Sequence, residues 1–237
     1  MDRARRLMLC FVLLATLFVG PGLTDRGDPA TGMDPAAAVA WPTSTLLVAE
    51  VVTGGASASD EYIELANGGP VAIDLNGLEV VYATSTGSTV TRKASWTAAR
   101  SLDPGQHLLI ANSVGIYAAG SDATYSGGLA ATGGAIVLRV IGGAPIDAVG
   151  WGDATNTFVE GSAAPAPPAR SSIERAPGAA AGNGMDTNDN ATDWAILGSP
   201  VPQNLAATPS PSGTPSPGAS PSPNPTPSAS LEPAPTG

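Results

Sequence analysis

The chain has 237 residues, a net charge of −10 and a single cysteine, Cys10. A surface so acidic repels a phosphate backbone, and no basic stripe offsets this, so nucleic acid is not an expected partner. One cysteine, placed near the start, excludes a disulfide framework and a thiolate metal site in the rest of the chain.

Arg3, Arg5 and Arg6 precede the apolar run 7–19, and small residues ending in Ala38-Val39-Ala40 precede Trp41. A basic start, an apolar stretch and an A-x-A site are the three parts of a secretory signal. The run is shorter than the roughly 20 helical residues that cross a bilayer core. Residues 1–40 are therefore expected to be a cleaved signal peptide. An uncleaved N-terminal membrane anchor is the alternative, because the stretch between Val19 and Ala40 is long for a cleavage region. The protein is expected to be secreted or at the cell surface, and a membrane partner is expected only through the N-terminal segment if it stays uncleaved. Export without disulfides fits a bacterial, extracytoplasmic setting.

Residues 45–200 alternate short apolar runs with Gly, Asn, Asp and Pro punctuation, the pattern of strands joined by turns. Strands are predicted at 46–52, 61–65, 71–73, 78–82, 89–96, 107–111, 135–140, 146–151, 172–174 and 193–196. Within 61–65, alternation places Ile63 and Leu65 on one face and Tyr62 and Glu64 on the other. Asn76-Gly77 supplies positive-φ turn residues, and Gly142-Gly143-Ala144 closes a hairpin. The Gly-, Ala- and Pro-rich stretches 154–170 and 176–184 are predicted surface loops. From Ala206 to Gly237 there are ten prolines, seven serines and four threonines, with Glu232 as the one charge. Such a stretch cannot bury enough apolar surface to offset its ordering entropy, so a disordered, extended Pro/Ser/Thr-rich tail is expected, serving as a stalk.

Certain short motifs stand in a familiar order. Asp60-Glu61-Tyr62-Ile63-Glu64-Leu65, Asn67, Asp74-Leu75-Asn76-Gly77 and Leu102-Asp103-Pro104-Gly105 come first. Asp147-Ala148-Val149-Gly150-Trp151-Gly152, Ser171-Ser172-Ile173-Glu174-Arg175, Asp186-Thr187-Asn188-Asp189-Asn190 and Asp193-Trp194 follow. This arrangement over residues 45–200 resembles the lamin tail domain as it occurs in exported bacterial proteins. The resemblance implies an all-β, immunoglobulin-like antiparallel β-sandwich of non-catalytic type, often found beside hydrolase or nuclease domains. The nuclear-lamina role of animal members does not carry over, since the chain has no coiled-coil rod.

Candidate chemistry is sparse. Asp186, Asn188 and Asn190 put side-chain oxygens at alternate positions, as a loop around Ca2+ would. The match to an EF-hand is partial, with Ala191 at the glycine position and Leu197 where a glutamate belongs. The competing reading has these side chains bonding their own backbone to shape a turn. Glu61 and Glu64, three apart in a strand, point to opposite faces and do not form a glycosidase pair. They are read instead as polar residues on a wet face, with Arg92 or Arg175 as partners. His107, the sole histidine, has no nucleophile near it in sequence and is read as structural or exposed. Trp151 and Trp194 are expected in the core and Trp96 as an exposed aromatic, while Asn190-Ala191-Thr192 fits a glycosylation acceptor. The expected function is a non-catalytic interaction or adhesion module presenting loops to a protein or glycan of the cell envelope, with no obligatory cofactor. The alternatives are a calcium-dependent binding domain and an accessory domain of an extracellular hydrolase or nuclease system.

Overall fold

The computed structural model describes residues 41–210, so the expectations for residues 1–40 and 211–237 lie outside the described residues. Among the described residues there are twelve strands: β1 Leu46–Thr53, β2 Glu61–Asn67, β3 Ile73–Asp74, β4 Leu78–Thr84, β5 Val90–Ser95, β6 Ser101–Leu102, β7 His107–Asn112, β8 Ala123–Tyr125, β9 Gly133–Val140, β10 Pro145–Gly152, β11 Ser172–Arg175 and β12 Trp194–Leu197. One short helix, α1 Asn190–Asp193, precedes the last strand. Among the described residues no helix is long and apolar enough to cross a membrane.

The strands form a six-stranded sheet in the order β12-β11-β1-β2-β7-β8, a four-stranded sheet β10-β9-β4-β5 and the small pair β3-β6. Every pairing is antiparallel except β7 with β8. The inner faces meet in one core, where Val48, Val51, Ile63, Leu65 and Ile110 from the larger sheet pack against Val80, Ile136, Leu138, Val149 and Trp151 from the smaller. Two facing sheets joined this way are an immunoglobulin-like β-sandwich.

Several expectations need correction in detail. The strand predicted at 71–73 shrinks to Ile73–Asp74, and β6 and β8 lack the length that makes a strand visible from its residues. The 154–170 stretch is not purely superficial, since Glu160 and Ala164 are buried and Ala164 bridges to Trp151. Residues 206–210, expected to begin the unfolded tail, run against the sandwich, where the Ser210 amide donates to the Gly105 carbonyl. Gly77 and Gly142 do take the positive φ that their turns require, at 84° and 66°.

Three bulges redirect side chains that simple alternation would misplace. In β1 the register slips between Val48 and Glu50, so Val48 and Val51 both face the core although only two residues, an even number, separate them. In β5 the slip leaves Lys93 without a ladder partner, and its ammonium turns inward over the Tyr125 ring at 4.5 Å while donating to the Ser126 and Gly128 carbonyls. In β10 the slip passes Ile146 and delivers Asp147 toward β1.

The larger sheet is covered on its outer face too. Val52, Tyr62, Leu109 and Ala111 form a second apolar layer there with Tyr117, and residues 203–205 bond to Glu64, Gly120 and Asp122. β1, β2 and β7 are consequently buried along their whole lengths.

Candidate functional site

The β1 bulge skips Ala49, and beside it the Val48 backbone, paired with Leu65 on the β2 side, bonds to charged side chains. The Val48 amide donates to Asp147 Oδ2 at 2.6 Å and its carbonyl accepts from Arg175 Nε at 2.8 Å. Arg175 Nη2 closes the triangle on both oxygens of Asp147 at 2.7 and 2.9 Å, and Nη1 donates to the Met185 carbonyl. The guanidinium is fully buried and stacks on the Trp194 ring, its carbon 4.9 Å from the ring centre. Asp147, Glu160 and Asp186 bring carboxylate oxygens within 4.8 Å of one another, a spacing that would suit a divalent ion. Here the chain supplies its own cation: Arg175 sits on Asp147 and lies 3.7 Å from Asp186. Glu160 accepts from the Ala148 amide and the Asn190 amide group. Burial pushes the Glu160 carboxyl well above the ordinary range, and the Asp147 charge adds to the rise. This centre is a structural clamp joining β1, β10, β11 and the 160–193 segment.

A different arrangement lies on the outer face of the larger sheet. Register pairs Glu174 of β11 with Glu50 of β1, and Glu50 with Glu64 of β2. Three carboxylates thus stand in a row on adjacent strands, about 4.8 Å apart by strand spacing. They line a cleft of about 580 Å³ whose other walls include Leu197, Val201, Gln203 and Pro209. Glu64 is held by His107 Nδ1 at 2.6 Å and by the Gln203 amide at 2.6 Å, and Glu174 by the Ala179 amide. Glu50 is different. It is only 3 % exposed, and its Oε1 makes no well-formed hydrogen bond, although the buried Ser172 and Tyr62 hydroxyls, without another partner, stand beside it; Gln203 Oε1 is likewise unpaired. Burial pushes the Glu50 carboxyl up to about 7; the nearby Ser172 hydroxyl pulls the other way and the Glu64 charge adds to the rise.

Residues 40–153 match the family model of the Lamin Tail Domain. The chain carries a lamin tail domain. The family is one of immunoglobulin-like binding domains, generally non-catalytic. No curated protein matches the chain. The match stops at residue 153, and beyond it β11 pairs onto β1 and β12 onto β11 to complete the larger sheet.

On this lamin tail domain the sequence-predicted residues fall as follows. Asn190 is fully buried: its oxygen accepts from the Gly150 and Glu160 amides, and its nitrogen donates to the Ala148 carbonyl and Glu160. It is spent as a calcium ligand and closed to glycosylation. Asn188 is exposed with φ 58°, and its amide approaches Asp186 Oδ1 at 3.4 Å. Asp189, not singled out by the sequence pattern, caps α1 by accepting from the Ala191 amide.

The wet-face reading of Glu61 and Glu64 is corrected: both are buried, because segments remote in sequence cover the strand. Glu61 accepts from the Leu129 amide and Asn112, and Glu64 takes His107. Arg92 and Arg139 go instead to Glu79. Burial opposes ionisation of Glu79, but the Gly142 amide and these two guanidinium groups hold its carboxyl below the ordinary range. Trp151 and Trp194 are buried as expected, whereas Trp96 is half-buried against the core rather than displayed.

The raised carboxyls fix a pH dependence. Glu50, Glu64, Asp147 and Glu160 are all shifted upward by burial. Each keeps its proton in the folded state at a pH where the unfolded chain has released it. Their contribution is complete below the ordinary carboxylate range and is lost as pH rises through the shifted values. The urea midpoint is expected to fall between about pH 5 and about pH 8, and Glu160→Gln to flatten that slope. A midpoint that climbs over this interval would contradict the assignment.

Proposed function

We propose that this protein is a non-catalytic binding module acting outside the cytoplasm, secreted or held at the cell surface, with a protein or glycan of the cell envelope as partner. The carrying observation is how its reactive side chains are used. His107, Glu61, Glu64, Asp147 and Glu160, the groups that acid–base chemistry would draw on, are buried and bonded within the sandwich. The outer face of the larger sheet, in contrast, keeps an open cleft. The signal-like pattern of residues 1–40 supports export, and the proline-rich composition after residue 206 supports a spacer that sets the sandwich away from its attachment.

The test is co-sedimentation of the purified full chain with isolated cell-envelope fractions, before and after protease or glycosidase treatment of those fractions. Saturable binding removed by one treatment supports the reading and identifies the partner class. A blank in every fraction would leave the sandwich as a spacer and end the proposal.

A further inference from the structure

The cleft over the glutamate row carries a specific chemical demand. Its floor is Glu50, with Glu174 and Glu64 on either side, and none of the residues lining it is cationic. Two atoms from cleft-lining residues, Glu50 Oε1 and Gln203 Oε1, are buried acceptors without a well-formed hydrogen bond, and the chain's own donors beside Glu50 are the neutral Ser172 and Tyr62 hydroxyls. A buried acceptor left unpaired is costly, and the ligand that satisfies several at once is a group with donors and no acceptors of its own. Guanidinium and ammonium groups are the side-chain heads of that kind. The walls fit the rest of such a side chain, since Leu197, Val201 and Pro209 present apolar surface against which methylene groups pack while the charged head reaches the carboxylates.

We propose that this cleft receives an arginine or lysine side chain from a partner protein, with Glu50 as its principal anion. The proposal rests on the binding-module reading and names the chemistry of its partner. The chain's own C-terminal extension cannot fill the role, because residues 211–237 contain no lysine or arginine. Cation entry pairs the carboxylate whose neighbours otherwise disfavour its charge. Around Glu50 stand Glu64 and Tyr62 from β2, Glu174 and Ser172 from β11, Tyr117 from the segment after β7, and His107 behind Glu64. Of these, His107 is the one group able to carry positive charge, and it is engaged by Glu64. Affinity should therefore rise with pH as Glu50 ionises.

The experiment is calorimetric titration of the full chain with N-acetyl-arginine amide at millimolar concentration. N-acetyl-citrulline amide, of nearly the same shape and uncharged, is the control. The arginine compound is expected to bind and citrulline not, with affinity greater at about pH 8 than at about pH 5. Glu50→Gln, checked for an unchanged circular-dichroism spectrum, should weaken binding at least about tenfold. Equal binding of arginine and citrulline, or no binding of either to the native protein, overturns the proposal without using any variant. If envelope binding persists in Glu50→Gln at native strength, the cationic-ligand assignment fails while the binding-module reading stands. Loss of envelope binding in native protein and variant alike defeats the broader reading instead.

Discussion

Replacing Arg175 with methionine is expected to destabilise the protein by about 3–5 kcal/mol, because removing one member of a buried ion pair leaves the other charge uncompensated. Asp147 would lose both guanidinium bonds, and the Val48 carbonyl, next to the β1 bulge, would lose its side-chain donor. Packing against Trp194 would go as well. The loss is therefore not one surface interaction but the failure of a junction between β1, β10 and β11. Pairing Arg175→Met with Asp147→Asn should restore part of it, since the neutral amide no longer carries a buried charge. Urea unfolding of the two single variants and the double variant measures this directly. A single-variant loss below about 1 kcal/mol would mean that water or another cation reaches Asp147, contrary to its burial.

The second large effect is expected at Asn190. Its side chain serves the Gly150 amide, the Glu160 amide, the Ala148 carbonyl and Glu160 Oε2 from a position with no exposure. Alanine would leave two amides and a carbonyl without partners, each costing about 1–3 kcal/mol when buried. The contributions are not additive, and a total near 3 kcal/mol is expected. The variant also separates two roles for the same residue. As a structural bridge, Asn190 contributes equally with calcium or with a chelator present, so the stability lost on substitution is the same in both. As a ligand it would matter only in calcium, because a metal stabilises solely the state that binds it. A calcium-dependent difference between native protein and Asn190→Ala would reinstate the ligand role.

Much of the sandwich is legible in the residues. Alternation within 61–65, the Asn-Gly turn and the Gly142-Gly143 hairpin report local backbone geometry, which depends on a few neighbours and so survives in sequence. The bulges are different, since a slipped register shows only as Val48 and Val51 spaced three apart in a uniformly apolar run. Coverage is less legible still. Glu64 alternates like a solvent-facing residue and is buried because residues 203–205, far along the chain, lie over it. The same gap hid the ionic centre: Asp147 and Arg175 are 28 residues apart on strands of different sheets, and Glu160 sits in a stretch whose small residues read as a loop. A weak signal was present, because Glu50 interrupts an otherwise apolar strand and Glu64 sits among Ile63, Leu65 and Tyr62. Acids in such company are either paired or awaiting a partner, and the fold divides them between these states.

The sharpest test is hydrogen-exchange footprinting of the full chain with and without a saturating envelope fraction. Protection concentrated in β1, β11 and residues 201–210, with the Asp147–Arg175 centre equally protected in both states, is the predicted result. Protection confined to the opposite sheet β10-β9-β4-β5, or opening of the Asp147–Arg175 centre on binding, would contradict an account in which buried charge holds the sandwich and the outer glutamate row meets the partner.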